Sequence, residues 1–188
     1  MLLQHCKWNL YQVDITKNYF EIFGLEPGYR VDVADLSERY RELQREVHPD
    51  RFADRGEREQ RLSVQFATYV NEGLDTLKSP VKRAEYLLEL QGVAFDAQNK
   101  TTSDGAFLMQ QMQLREELSE VRDQDDPEAA LDTLSAHAGE LLKQLEDEFQ
   151  ASFEKQDYSQ AAAVVDKLHF ITKLEHEIEQ LESQLLDY

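Results

Sequence analysis

Apolar side chains recur along this chain three and four residues apart, in segments separated by short polar or glycine- and proline-bearing stretches. That spacing is helical. The first segment is short: Tyr19, Phe20, Ile22 and Phe23 follow Asn18, and Gly24 ends it before a loop marked by Pro27 and Gly28. Asp32 stands as an N-cap with Asp35 three residues on to support it, and Leu36, Tyr40, Leu43 and Val47 then make one face of a helix. Proline disfavours helical geometry in the residue ahead of it, so this helix stops before Pro49. Residues 48–56 are polar, contain Gly56 and read as a loop. Leu62, Phe66, Val70, Leu74 and Leu77 stripe a second long helix from Glu57 to Leu77. Ser79-Pro80 opens another, with serine as cap and proline at the first position, and Gly92 stops it after Val81, Ala84, Leu87 and Leu88.

Residues 92–103 lack a period and include Asn99 and the run Thr101-Thr102-Ser103, which places a domain boundary there. Three further helices follow, over about 104–122, 127–155 and 158–186, the middle one with apolar or small residues at 131, 134, 138, 141, 145, 149 and 153, close to a heptad repeat. The pattern predicts an all-α protein. An extension over 1–16 leads into a helical hairpin domain over 17–91, a linker over 92–103 and a C-terminal three-helix bundle over 104–188.

Composition adds three constraints. Only 7 glycines and 4 prolines occur in 188 residues, few for a fold of tight turns and short strands. The single cysteine, Cys6, forms no internal disulfide and no thiolate metal site by itself, which fits a reducing compartment. No apolar run reaches the roughly eighteen residues that span a bilayer, and residues 1–10 lack a secretory pattern, so a cytoplasmic location is expected.

Charge separates the two halves. The chain carries a net −18; residues 1–103 hold 14 basic and 17 acidic side chains, a net −3, whereas residues 104–188 hold 6 and 21, a net −15. Such a surface repels phosphates and anionic lipids, which argues against nucleic-acid and membrane partners. A helix-turn-helix reading also fails on its nine-residue loop, where that motif needs a short turn. A carboxylate-bridged di-iron bundle needs repeated Glu-x-x-His pairs, and Asp166-x-x-His169 is the only similar spacing.

Candidate chemistry gathers at His48-Pro49-Asp50, a stiffened polar tip that offers a carboxylate and an imidazole. Read alone it is an ordinary helix-ending loop. Around it, however, Arg39, Arg41, Arg45, Arg51, Arg55, Arg58 and Arg61 fall within residues 37–61, the best electropositive candidate on the chain, although seven acids share the stretch. On the helix over 104–122, Phe107, Leu114, Leu118 and Val121 cluster on one side, and Leu108, Met109 and Met112 point to roughly the opposite one. One stripe serves the bundle core; the second is surplus, and methionine suits adaptable binding surfaces.

A helix ending in His-Pro-Asp, then a second helix and Leu77-x-x-Pro80-x-x-Arg83-x-x-Tyr86, resembles a J-domain. The fuller set, Tyr19-Phe20-x-x-Phe23-Gly24-Leu25, Arg83-Ala84-Glu85-Tyr86-Leu87-Leu88 and Ala106-Phe107-Leu108-Met109-x-x-Met112-x-Leu114-Arg115-Glu116-Glu117-Leu118, is similar to the HscB-type co-chaperones of iron–sulfur cluster assembly. The resemblance implies that residues 17–91 dock on a DnaK-type, HscA-like chaperone through His48, Pro49, Asp50, Arg41, Arg45 and Arg51 and stimulate its ATPase. It implies that the bundle holds an IscU-like scaffold through Leu108, Met109, Met112, Glu116 and Phe170. Phe170 sits, by its helical angle, at the margin of the Ile171, Leu174 and Ile178 core face, so spacing alone leaves it open to a core role. No catalytic residue, cofactor or metal belongs to the J-protein in that scheme; the partner is the hydrolase. Arg51 stands where the family often has lysine, which keeps the charge. Residues 1–16 have no counterpart and lack the paired cysteines of eukaryotic relatives, which points to a bacterial protein. The rival within the same class is a general J-domain co-chaperone whose acidic bundle binds unfolded clients.

Overall fold

The computed structural model describes residues 17–93 and 104–186; the expected extension over 1–16 and most of the expected linker lie outside them. Among the described residues seven α-helices follow one another: α1 (Tyr19–Ile22), α2 (Val33–Val47), α3 (Glu57–Lys78), α4 (Pro80–Leu90), α5 (Gly105–Glu120), α6 (Pro127–Glu154) and α7 (Tyr158–Leu186). Among the described residues there is no strand. Packing divides the chain into two compact units after Arg83, within α4.

In the first unit α2 and α3 form the hairpin that the apolar stripes predict, and α1 packs on α3. Phe20, Phe23, Leu36, Leu43, Val47, Phe66, Val70 and Leu77 are all buried. Local signals set the ends. Asn18 and Glu21 form a reciprocal capping box on α1, and Gly24, at φ 63°, closes it. Asp32 caps α2 by accepting from the N–H groups of Ala34 and Asp35. The Asp35 carboxylate does not reach back to support the cap; it pairs instead with Nε of Arg39 at 2.9 Å, one helical turn on.

The buried face of α3 keeps Phe66, Val70 and Leu77 but also takes in residues outside the predicted stripe. Leu62 and Leu74 are half-buried, while Ser63 and Gly73 are buried. A small residue is needed at Gly73, where the rings of Tyr19 and Phe23 press on α3: a Cβ there would stand 2.9 Å from Tyr19 and 3.0 Å from Phe23. Ser63 is buried without an orphaned hydroxyl because it donates to the carbonyl of Gln60.

The second unit contains the later part of α4 and the three long helices. α6 and α7 pair along their length, and α5 packs on both. The heptad positions Leu131, Leu134, Ala138, Leu141, Leu145 and Phe149 are buried against Val164, Val165, Leu168, Ile171, Leu174 and Ile178. At the last predicted position Ser152 is buried and Phe153 only half-buried, its ring stacked 5.8 Å from that of Phe149. The α6–α7 turn places Gln156 at φ 60°, with Gln156 and Asp157 donating to the carbonyls of Phe153 and Ser152. That is the helix ending glycine normally serves, here made without one.

Candidate functional site

The tip between α2 and α3 is ordered by short-range hydrogen bonds. His48 leaves helical geometry at φ −56°, ψ 130°, and Pro49–Phe52 form one 3₁₀ turn where the sequence suggested a plain loop. The N–H of Asp50 donates to Nδ1 of His48 at 3.3 Å, and the N–H of Arg51 donates to the carbonyl of His48 at 3.0 Å. The first of these bonds requires the tautomer with its hydrogen on Nε2, which keeps that N–H as a donor. The Asp50 carboxylate lies 3.5 Å from Nδ1 with its side chain 91% exposed, so its negative charge faces solvent.

Arginine acts here in two ways. Arg41 and Arg45 are exposed on α2, as their spacing four apart predicts. Arg51 is exposed too, but its Nη1 donates at 2.9 Å to the carbonyl of Arg45 and so caps the end of α2. Gln60, from α3, donates to the carbonyls of Ala53 and Arg55 and fixes the far side of the loop. Tyr40 and Gln44 of α2 both donate to Oδ1 of Asn71 on α3. Nothing in the apolar pattern marks these polar ties, because they depend on which helix faces meet. Gln44, Gln60 and Asn71 stand among charged and polar residues in the chain, so nothing local singles them out.

On α5 the two stripes separate as the helical angles predict. Phe107, Leu114 and Val121 are buried, Leu118 is half-buried, and Leu108, Met109 and Met112 are 39%, 74% and 73% exposed. Glu116 is exposed one turn beyond Met112. Phe170 is half-buried on α7, its ring edge-on to that of Phe107 at 5.8 Å and 5.6 Å from the guanidinium carbon of Arg115. Arg115 also pairs with Glu177 at 2.8 Å and so laces α5 to α7. Leu108 and Arg115 are seven residues apart and share nearly one helical angle, which sets Leu108 on the flank that meets α7. Met109, Met112 and Glu116 line the flank toward α6. The sequence-named residues therefore spread over two flanks of α5, with Phe170 beside the first.

At the start of α5, Asp104 accepts from the N–H groups of Ala106 and Phe107 and pairs with Lys167 at 2.8 Å. The Lys167 and Phe107 contacts hold the Asp104 carboxyl below its ordinary pKa. His169 Nε2 lies 2.7 Å from a carboxylate oxygen of Glu85, so half of the Asp166-x-x-His169 spacing is engaged with α4. Among the described residues no three His, Cys, Asp or Glu side chains converge as metal ligands, and no helix is long and apolar enough to cross a membrane.

Known proteins share this arrangement. Residues 103–179 match the family described as the HSCB C-terminal oligomerisation domain. The co-chaperone protein HscB homolog of Shewanella loihica is 46% identical over 172 residues, covering 89% of this chain and 99% of the relative. The solved structure of chaperone HscB from Vibrio cholerae superposes with a TM-score of 0.80 at 41% identity, covering 90% of this chain and 99% of that one. Human co-chaperone protein HscB gives a TM-score of 0.81 at 31% identity, over 90% of this chain and 84% of that one. Identity at this level across nearly the whole length of the bacterial relatives, on the same all-helical fold, shows that the chain belongs to the HscB family of J-domain co-chaperones.

Proposed function

We propose that this co-chaperone acts in iron–sulfur cluster assembly as a two-handed adaptor, delivering an IscU-like scaffold to an HscA-like, DnaK-type chaperone and stimulating its ATPase. The observation that carries the reading is the exposed apolar strip of Leu108, Met109 and Met112 on the outward side of a helix in a strongly acidic unit. Burying each of these side chains contributes at most about 1.5–3 kcal/mol, enough for a transient complex once association costs are met. The second hand is the His48-Pro49-Asp50 tip, whose exposed carboxylate and imidazole, with Arg41, Arg45 and Arg51 nearby in sequence, suit a chaperone surface of mixed charge. One chain holding both partners raises the effective concentration of scaffold at the chaperone. The protein itself performs no chemistry in this scheme and works in the cytoplasm.

The test is steady-state ATP turnover by the purified cognate chaperone with this protein, with and without scaffold. Stimulation that rises further when scaffold is added supports the adaptor. No stimulation at any ratio rejects it. A bundle that binds assorted unfolded chains as well as it binds the folded scaffold would favour a general client-binding role instead.

A further inference from the structure

Met109, Met112 and Glu116 are exposed, but α6 runs beside them. With Leu141, Leu145 and Glu148 of α6 they line a groove of about 690 Å³ between α5 and α6. Its floor is apolar: Phe107, Leu141 and Leu145 are buried, whereas the methionines on its wall are largely exposed. Lys167 and Asp104 pair across one end, with the ammonium 5.3 Å from the centre of the Phe107 ring.

The lining carries three carboxylates, Asp104, Glu116 and Glu148, against one ammonium, Lys167, which leaves a net −2. Because Lys167 is committed to Asp104, the uncompensated charge rests on Glu116 in one wall and Glu148 in the other. Glu148 is held in place, since one of its carboxylate oxygens accepts from Nε2 of Gln160 at 2.9 Å.

We propose that the scaffold-docking surface continues from α5 into this groove. An apolar side chain of the scaffold enters between the methionines and the Leu141–Leu145 floor, and a lysine or arginine beside it is read by Glu116 and Glu148. The inference rests on the α5 reading given under the proposed function and extends it to α6, where Glu148 becomes a specificity-determining residue. Two observations favour the scaffold as the occupant. Met109 and Met112 belong both to the exposed apolar strip and to the groove wall, so the two surfaces are continuous. A second copy of this chain would bring residues 104–188, with their net −15, against an acidic lining.

Titration calorimetry of the full chain with the purified apo scaffold tests this. Glu148→Lys should weaken binding roughly tenfold, and Glu148→Gln, which keeps an acceptor for Gln160, by a smaller factor. Asp132→Lys makes the same charge change on the exposed opposite side of α6 and should leave affinity within about twofold. The Glu148→Lys loss should shrink as salt is raised. If Glu148→Lys binds like the wild type while Leu108→Ala with Met112→Ala does not bind, the groove is overturned and the α5 strip stands. If all these variants bind like the wild type, the strip fails and the groove fails with it. A concentration-dependent dimer in sedimentation that Glu148→Lys dissociates, with scaffold affinity unchanged, would assign the groove to a second copy and also overturn the proposal.

Discussion

The guanidinium of Arg83 lies 5.4 Å from the centre of the Tyr29 ring while its Nη1 donates, at 2.7 Å, to the carbonyl of the same residue. Its other nitrogens donate to the carbonyls of Leu77 at 2.7 Å and Lys78 at 3.3 Å, the last turn of α3, whose carbonyls have no partner within the helix. Arg83 is only 5% exposed, so a buried charge is spread over three acceptors and an aromatic face. Arg83→Met should therefore lower unfolding free energy by about 2–4 kcal/mol in urea titration, through carbonyls left unsatisfied. Arg83→Lys should recover less than half of the loss, because a single ammonium cannot span the fork.

Two glycines on long helices should respond in opposite directions. Gly73→Ala places a methyl 2.9 Å from the Tyr19 ring and 3.0 Å from that of Phe23, so overpacking of about 1–3 kcal/mol outweighs the gain in helix propensity. Gly139 on α6 has nothing within 4 Å of the same atom, and Gly139→Ala should stabilise by about 0.5–1 kcal/mol. Thermal midpoints of the two variants moving the same way would contradict this packing of α1 on α3.

The tip and the strip should separate functionally. Asp50→Asn preserves the shape of the 3₁₀ turn and removes the exposed negative charge, so ATPase stimulation should fall at least tenfold with scaffold affinity unchanged. A variant that still stimulates fully removes Asp50 from the role proposed for it.

Leu108→Ala with Met112→Ala should abolish measurable scaffold binding. The fold should survive, because the two side chains are 39% and 73% exposed and contribute little to the core. Calorimetric affinity and the thermal midpoint, measured on the same preparation, distinguish a lost contact from a lost fold.

Acid should act on the second unit in two opposing ways. Partial burial, then the nearby charges of Glu179 and Glu146, raise the Glu175 pKa above its ordinary value. The folded state thus holds this proton more tightly than the unfolded one. Stability is lost as pH rises through the interval between the two values, and the deficit is complete above the folded one. Glu175→Gln should accordingly raise the thermal midpoint at neutral pH and lose that advantage near about pH 4. The depressed Asp104 carboxyl has the reverse sign: its contribution is complete above the unfolded value and disappears as pH falls through the folded one. Asp104→Asn should flatten that acid limb.

Much of the fold was legible in the chain because helical periodicity is a local property. The stripes over α2, α3 and α6, the stops at Pro49, Gly24 and Gly92, and the proline starts at Pro80 and Pro127 all depend on residues within a turn or two. The two-sided apolar character of α5 was legible for the same reason, and so was the His48-Pro49-Asp50 tip. The α6–α7 turn was placed correctly, but nothing local announced that Gln156 would adopt a left-handed conformation without glycine.

What the order of residues determined, then, was where helices run and which side chains they turn outward, since both follow from the 3.6-residue repeat. Only the packed structure decided that Ser63 and Gly73 are core, that Arg83 closes the end of α3 over Tyr29, and that Met109 and Met112 border a groove with Glu148 across it. Those outcomes depend on which faces of separate helices meet. Residues 30 to 60 positions apart in the chain come into contact there, and periodicity along one helix contains no information about the partner it will face.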